Sequence, residues 1–170
     1  MRGSGNKRWP FPIDFSMEEH QKTEQRWQLA VGRFLLSFGK IEWFTHILLV
    51  LLPTERIFDS VKSLRLSQRI KLIKALLESR SIKEEVKDKI CTLLDEAEPL
   101  LTFRNTIAHN PLYMGFCDTE AGLGFKQQIS KTNLEKPITI EELEEKCEKA
   151  QKLADRAYAC ESDLRRVLFI

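Results

Sequence analysis

The stretch FRNTIAHNPL, Phe103 to Leu112, decides how this chain is read. Wound as a helix at about 100° per residue, it gathers Phe103, Ile107 and Ala108 with the preceding Leu100 and Leu101 on one apolar side. Arg104 falls near the middle of that side. Asn105 lies on its flank, and His109, four residues further on, shares a face with Asn105. From Arg104 through Asn105 to His109 the arc is roughly 140°. Asn110 and Pro111 then close the helix, because the residue before a proline is pushed out of helical geometry.

A guanidinium on an apolar face demands a partner, since a buried charge left unpaired is strongly destabilising. Two partners fit Arg104. One is a carboxylate of the same chain, for which Glu42 is the natural candidate because it too falls on the inner stripe of its helix. The other is a phosphate, which the planar fork of arginine suits, with Arg104 facing a cleft between two copies of the chain. His109 also has two readings. A histidine is favoured at a helix C-terminus by the macrodipole, and it is also the residue type best matched to proton transfer near neutral pH.

Outward from this stretch, four long helical patterns account for most of the chain. The first opens at Ser16, a plausible N-cap, and runs to about Leu52, where Pro53 stops it. The second lies within Asp59 to Ser79, recapped at Ser67, with Ile70, Ile73 and Leu77 on one side. The third starts at Ser81, whose spacing to Glu84 is that of a capping box, holds Pro99 as a bend, and ends at His109 or Asn110. The fourth begins at Thr139 with Glu142 three residues on, and carries the seam Leu143, Cys147, Ala150, Ala154, Ala157, Leu164 and Leu168. Between the third and fourth, two short runs flank turn residues at Asp118 to Gly124 and predict a β-hairpin over about 111–131. The expectation is an all-α, up-and-down four-helix bundle over 16–170, preceded by a flexible arm at 1–15 and carrying a small hairpin on its last connection.

The first helix is apolar over an unusually wide arc. Phe34, Phe38, Ile41, Leu48 and Leu52 make one stripe, and Leu36, Trp43, Ile47 and Val50 make a second. One stripe suffices for a monomeric bundle. Two predict a homodimer, or else a central helix touched by all the others.

With 170 residues, 42% hydrophobic and 31% charged, the chain has the profile of one soluble domain with a real core. Its net charge of +2, from 27 Lys and Arg against 25 Asp and Glu, supplies no general drive toward nucleic acid, so any polyanion site is local. Cys91, Cys117, Cys147 and Cys160 form no C-x-x-C pair, and with His20, His46 and His109 scattered no metal cluster follows from local spacing. A reducing, cytoplasmic setting is expected. The basic, polar start reads as no signal peptide. The greasiest run, IEWFTHILLVLL, is short for a bilayer and holds Glu42 and His46, so no membrane segment is expected.

The segment Arg104-Asn-Thr-Ile-Ala-His109, in the wording RN-x-x-AH-x-P, resembles the R-x4-6-H motif of the HEPN domain family (higher eukaryotes and prokaryotes nucleotide-binding). The motif lies at the end of the third long helix, in a chain whose first helix carries two apolar surfaces. The resemblance implies an all-α homodimer whose motif residues meet in one cleft, and a metal-independent endoribonuclease of toxin–antitoxin, phage-defence or RNA-processing type that uses no cofactor. It implies that His109 assists attack of a ribose 2′-OH on the adjacent phosphate. Arg104 would stabilise the charge that develops on the phosphoryl oxygens, and Asn105 would orient His109 or the phosphate. RNA is then the substrate, since DNA lacks the nucleophile. The alternative is a non-catalytic HEPN-like module that binds nucleotide or RNA, or acts as a dimeric scaffold.

A cognate antitoxin is a possible partner. One toxin subgroup carries a modified tyrosine two residues after the motif histidine. Here that position is Pro111 and the nearest tyrosine is Tyr113, a departure that puts this mode of control in doubt. Lower in rank stand His46 with Glu42, one turn apart on the first helix, which read as core polar contacts before an acid–base pair, and Lys126 on the hairpin, followed by Lys131 and Lys136, which read as a solvated loop before contacts to an RNA backbone.

Overall fold

The computed structural model describes residues 17–55, 57–119, 122–129 and 137–168, apart from the side chains of 17, 19, 116–119 and 122–126. The arm at 1–15, the Ser16 cap, Lys131 and Lys136 lie outside this range. Among the described residues the chain is mostly helical, with five helices and one two-stranded antiparallel sheet. The helices are α1 (Met17–Leu51), α2 (Phe58–Val61), α3 (Leu66–Ser79), α4 (Glu84–His109) and α5 (Ile140–Leu168). The strands β1 (Leu112–Thr119) and β2 (Gly122–Ile129) stand between α4 and α5.

The core sits along one side of α1. Phe34, Phe38, Ile41, Leu48 and Leu52 are all buried there. They meet Ile70, Ile73 and Leu77 of α3, Ile90, Leu93, Leu94 and Leu100 of α4, and Leu143, Ala150, Ala154, Ala157 and Leu164 of α5. The small residues of α5 shorten the distance at which it lies on α1, and this pair has the most extensive contact between any two elements. Ser37 reinforces it by donating its hydroxyl proton to Gln151 Oε1 at 2.9 Å. Phe103 of α4 meets Phe34 edge to face, with ring centroids 5.2 Å apart.

Helix ends differ from expectation in instructive ways. The second pattern splits into the single turn α2 and the longer α3. The start of α3 is not Ser67 but Leu66, whose side chain is buried, with the backbone N–H of the preceding Arg65 satisfied by Gln68 Oε1 at 3.0 Å. Likewise α4 begins at Glu84 after Lys83, so the Ser81–Glu84 capping box does not form. Ile82 is buried and the backbone through Arg80–Lys83 stays non-helical to place it there. Half of the Thr139–Glu142 box is present, with Glu142 N–H donating to Thr139 Oγ1 at 3.3 Å. Arg80 reaches back from the end of α3 to donate to the Leu52 carbonyl, which closes α1.

In the hairpin Asp118 pairs with Leu123 and Cys117 with Gly124, so these residues continue the ladder instead of turning it. Ala108, placed on the apolar side of α4 by its wheel position, is exposed, whereas its neighbour Ile107 is buried in the core.

The second stripe of α1 behaves differently from the first. Leu36, Trp43 and Val50 are 73%, 65% and 60% exposed, and so is Leu29 one heptad earlier (61%), although α1 is touched by all of α3, α4 and α5. Those neighbours cover one side of α1 and part of its flanks, and Ile47 is half-buried. By length and mean hydropathy, 1.5 over 18 residues, α1 also qualifies as a candidate membrane span. Central helices of bundles pass the same test, and 44% of that window is buried.

Phe34→Ala removes a fully buried ring that contacts both Phe38 and Phe103. It is expected to lower unfolding free energy by about 3–5 kcal/mol in urea denaturation.

Candidate functional site

The last turns of α4 carry the motif. Thr106 bonds its hydroxyl to the Thr102 carbonyl at 3.1 Å, and Asn110 donates from Nδ2 to the Thr106 carbonyl at 2.7 Å. Asn110 is therefore a side-chain cap, held in extended geometry (φ −124°, ψ 140°) by the following Pro111. His109, the residue before it, is exposed, and no hydrogen bond or ion pair joins it to Arg104 or Asn105 within the chain. Among the described residues its imidazole has no hydrogen-bond or ion-pair partner.

Arg104 is not fully buried. Its side chain is 33% exposed and stands 3.9 Å from Glu42 of α1, itself 28% exposed. Arg104 Nη1 also donates to Asn105 Oδ1 at 3.2 Å. The contact with Glu42 is a single long one, not a two-pronged fork, and a pair of this exposure contributes at most about 1 kcal/mol. Asn105 is exposed.

Beside this pair lies a feature the motif does not include. Arg69 of α3 is 6% exposed and bonds through Nη1 to the ring Nε2 of His46, one turn beyond Glu42 on α1. An arginine N–H can only donate, so His46 Nε2 must accept and the ring proton sits on Nδ1. His46 Nδ1 and Arg69 Nε are both buried with no hydrogen-bond partner among the described residues. Each such orphan costs about 1–3 kcal/mol. Burial lowers the Arg69 guanidinium below its ordinary value while Glu42 pulls it back up. Burial, reinforced by Arg69, also holds His46 below the usual imidazole value, with Glu42 opposing. Phe58 packs edge-on to His46 at 5.9 Å, and the exposed Trp43 lies beside it at 6.3 Å.

Arg69 was legible in the sequence by the same sign as Arg104. It stands four residues before Ile73 and eight before Leu77, hence on the buried stripe of its own helix. The expectation that His46 and Glu42 serve as polar core contacts described two members of the cluster without its centre.

Other candidates sit apart. Lys126 occupies β2 opposite Gly115, and its side chain is outside the described set. Tyr113, on β1, is 40% exposed and its hydroxyl accepts from Gln128 at 3.0 Å. Open grooves of about 420 Å³ (α1 with α5, around Leu36, Lys40 and Gln151) and about 370 Å³ (α4 with α5, around Glu96 and Arg156) contain none of Arg104, Asn105 or His109. Cys91, Cys147 and Cys160 are free thiols, each raised above its ordinary pKa by burial. Among the described residues no three of His, Cys, Asp and Glu converge on a common point. No protein-family model, no curated protein and no solved structure matches the chain.

The exposure of the Arg104–Glu42 pair makes Arg104→Ala a mild change, expected to cost no more than about 1 kcal/mol in urea denaturation. A larger loss would mark Arg104 as structural. His46 predicts a pH effect. With its folded value lowered, the unfolded chain binds more protons between that value and the ordinary one, so stability is complete above about 6.5 and falls as pH drops through the lowered value. Comparing urea midpoints at neutral and mildly acidic pH, His46→Gln is expected to flatten this slope.

Proposed function

We propose that this chain is a metal-independent endoribonuclease of the HEPN type, an up-and-down four-helix bundle that acts as a homodimer on RNA. The observation that carries the reading is the end of α4. There a half-exposed Arg104, its neighbour Asn105 and an exposed, unpaired His109 occur together in the family's spacing. In the reaction His109 accepts the proton of a ribose 2′-OH, or orients that hydroxyl, as the oxygen attacks the adjacent phosphorus. The 2′-O–P bond forms, the P–O5′ bond breaks, and the departing 5′ oxygen takes up a proton. The products are a 2′,3′-cyclic phosphate and a 5′-hydroxyl. Arg104 stabilises the negative charge on the non-bridging oxygens, and Asn105 orients His109 or the phosphate. Because the nucleophile belongs to the substrate, this chemistry requires no metal-bound water.

Two features support the dimer. Within one chain Arg104 and His109 point along directions roughly 140° apart, so a second copy is the simplest source of the complementary residue. The exposed row Leu29, Leu36, Trp43 and Val50 recurs every seventh residue, the spacing at which a second helix could lie along it, with Gly32 and Gly39 between the first three. A methyl group at Gly32 or Gly39 would meet no atom within 4 Å, so a partner helix can approach closely there. The row extends about 32 Å and runs beside Glu42, which brings a partner to the edge of the Arg104 site. The free thiols support a reducing, cytoplasmic setting. A cognate antitoxin is a possible further partner. One observation favours the competing reading, a non-catalytic HEPN-like module for nucleotide or RNA: Arg104 is already held by Glu42 and Asn105 within the chain.

His109→Ala and Arg104→Ala are each expected to abolish RNA cleavage while leaving the circular dichroism spectrum unchanged. Cleavage by the parent protein should persist in EDTA and leave 2′,3′-cyclic ends. Equal activity in His109→Ala would sink the enzyme reading. Trp43→Glu, at a position 65% exposed, is expected to convert dimer to monomer in light scattering and to remove cleavage with it. A wild-type protein that is strictly monomeric, or a monomeric variant that still cuts RNA, argues against the shared cleft.

A further inference from the structure

Four side chains from three helices meet beside the motif: Glu42 and His46 of α1, Arg69 of α3 and Arg104 of α4. Their charges do not balance. Glu42 stands 3.9 Å from Arg104 and also acts on the Arg69 guanidinium through its field, so one carboxylate faces two cations, and His46, hydrogen-bonded to a cation through Nε2, is held neutral. The hydrogen-bonding count is lopsided in the same direction. Arg69, 6% exposed, uses Nη1 on His46 and leaves Nε buried without an acceptor, and the proton on His46 Nδ1 is equally unanswered. Both orphans are donors. What the cluster lacks is negative charge and acceptor oxygen.

Glu42 is a poor substitute for that missing group. Its single 3.9 Å contact with Arg104 leaves most of the guanidinium fork unused, and both side chains remain open to solvent. A ligand carboxylate would add only what Glu42 already offers. A phosphate presents several oxygens in a tetrahedron and can accept from two guanidiniums that arrive from different helices. We propose that Arg69 and Arg104 together form a phosphate-binding subsite, with Glu42 holding Arg104 in place until a phosphate displaces it. Arg69 then becomes a second phosphate ligand next to the motif, positioned by His46. The subsite rests on the ribonuclease reading only for the source of its phosphate, an RNA backbone; free phosphate has the same chemistry.

The test uses the full chain with inorganic phosphate and pyrophosphate, titrated calorimetrically at constant ionic strength, and a short RNA titrated into His109→Ala protein so that it stays uncut. The parent protein is expected to bind phosphate or pyrophosphate. Arg69→Gln is expected to weaken that binding about tenfold or more, the loss of one charged hydrogen-bonding group. Arg69→Lys, which keeps the charge without the fork, should fall between, and it serves if the glutamine variant does not fold. Glu42→Gln is expected to tighten binding, because it removes the anion that competes for Arg104.

No phosphate binding by the parent protein overturns the proposal. So does unchanged affinity in a folded Arg69 variant, or weaker affinity in Glu42→Gln, which a merely structural network would produce. If Arg69→Gln weakens RNA and phosphate together, the ligand is the RNA backbone; if it weakens phosphate alone, the ligand is free phosphate. Phosphate binding by a protein that never cuts RNA would leave the subsite standing and remove the ribonuclease.

Discussion

Every long helix of this protein docks on one side of α1, and that constraint arranges the rest. The row Phe34, Phe38, Ile41, Leu48 and Leu52 is sealed by α3, α4 and α5 at once. A helix that must satisfy three neighbours brings their polar residues to its flanks as well. Glu42 directly follows the fully buried Ile41, so its carboxylate emerges at the rim of the core, where Arg104 of α4 can reach it. His46, one turn on, is held the same way against Arg69. The polar cluster is a consequence of how α1 is buried.

The same helix leaves its opposite side unsatisfied. Burying an apolar stripe is worth roughly 25 cal/mol per Å², and a side chain as large as Trp43 standing in water forgoes most of that. The pattern of the uncovered residues is regular, at heptad spacing with glycines between, and a regular row differs from the singly scattered apolar residues common on protein surfaces. A lattice of exposed charge surrounds the rest of the bundle. Pairs such as Arg26–Glu144 and Arg156–Glu96 tie α5 to α1 and α4 from the outside, but at their exposure they contribute little to stability.

Two arginines thus have contrasting positions in one network. Arg104 is loosely held and partly open, so it can change partner at little cost to the fold. Arg69 is mostly buried, 6% exposed, and is bonded to a neutral imidazole. Both arginines feel the carboxylate of Glu42, Arg104 at 3.9 Å and Arg69 through its field, in a chain whose net charge is only +2. A local anion site in a nearly neutral protein needs such an uneven distribution.

Much of the secondary structure was already present in the amino-acid order. Periodicity located the long helices and the stripes of α1 and α5. Thr139 marked the start of α5 with an oxygen acceptor, and the paired short runs located the hairpin. Such signals act between residues a turn or a strand-pair apart, so they can be read without knowing the neighbours. Where tertiary packing intervened they failed. Ser67 and Ser81 did not cap because Leu66 and Ile82 had to be buried.

The site divides along the same line. Arg104, Asn105 and His109 stand out as a local pattern within one helix, and Glu42 as a carboxylate on an inner stripe. That Arg69 and His46 complete the cluster depended on which side of α1 receives α3, and that Leu36 and Trp43 stay exposed depended on which side no described helix reaches. Helical periodicity determined which residues share a face. Only the packing of the helices decided which faces meet, because that choice is made by contacts between segments far apart in the chain.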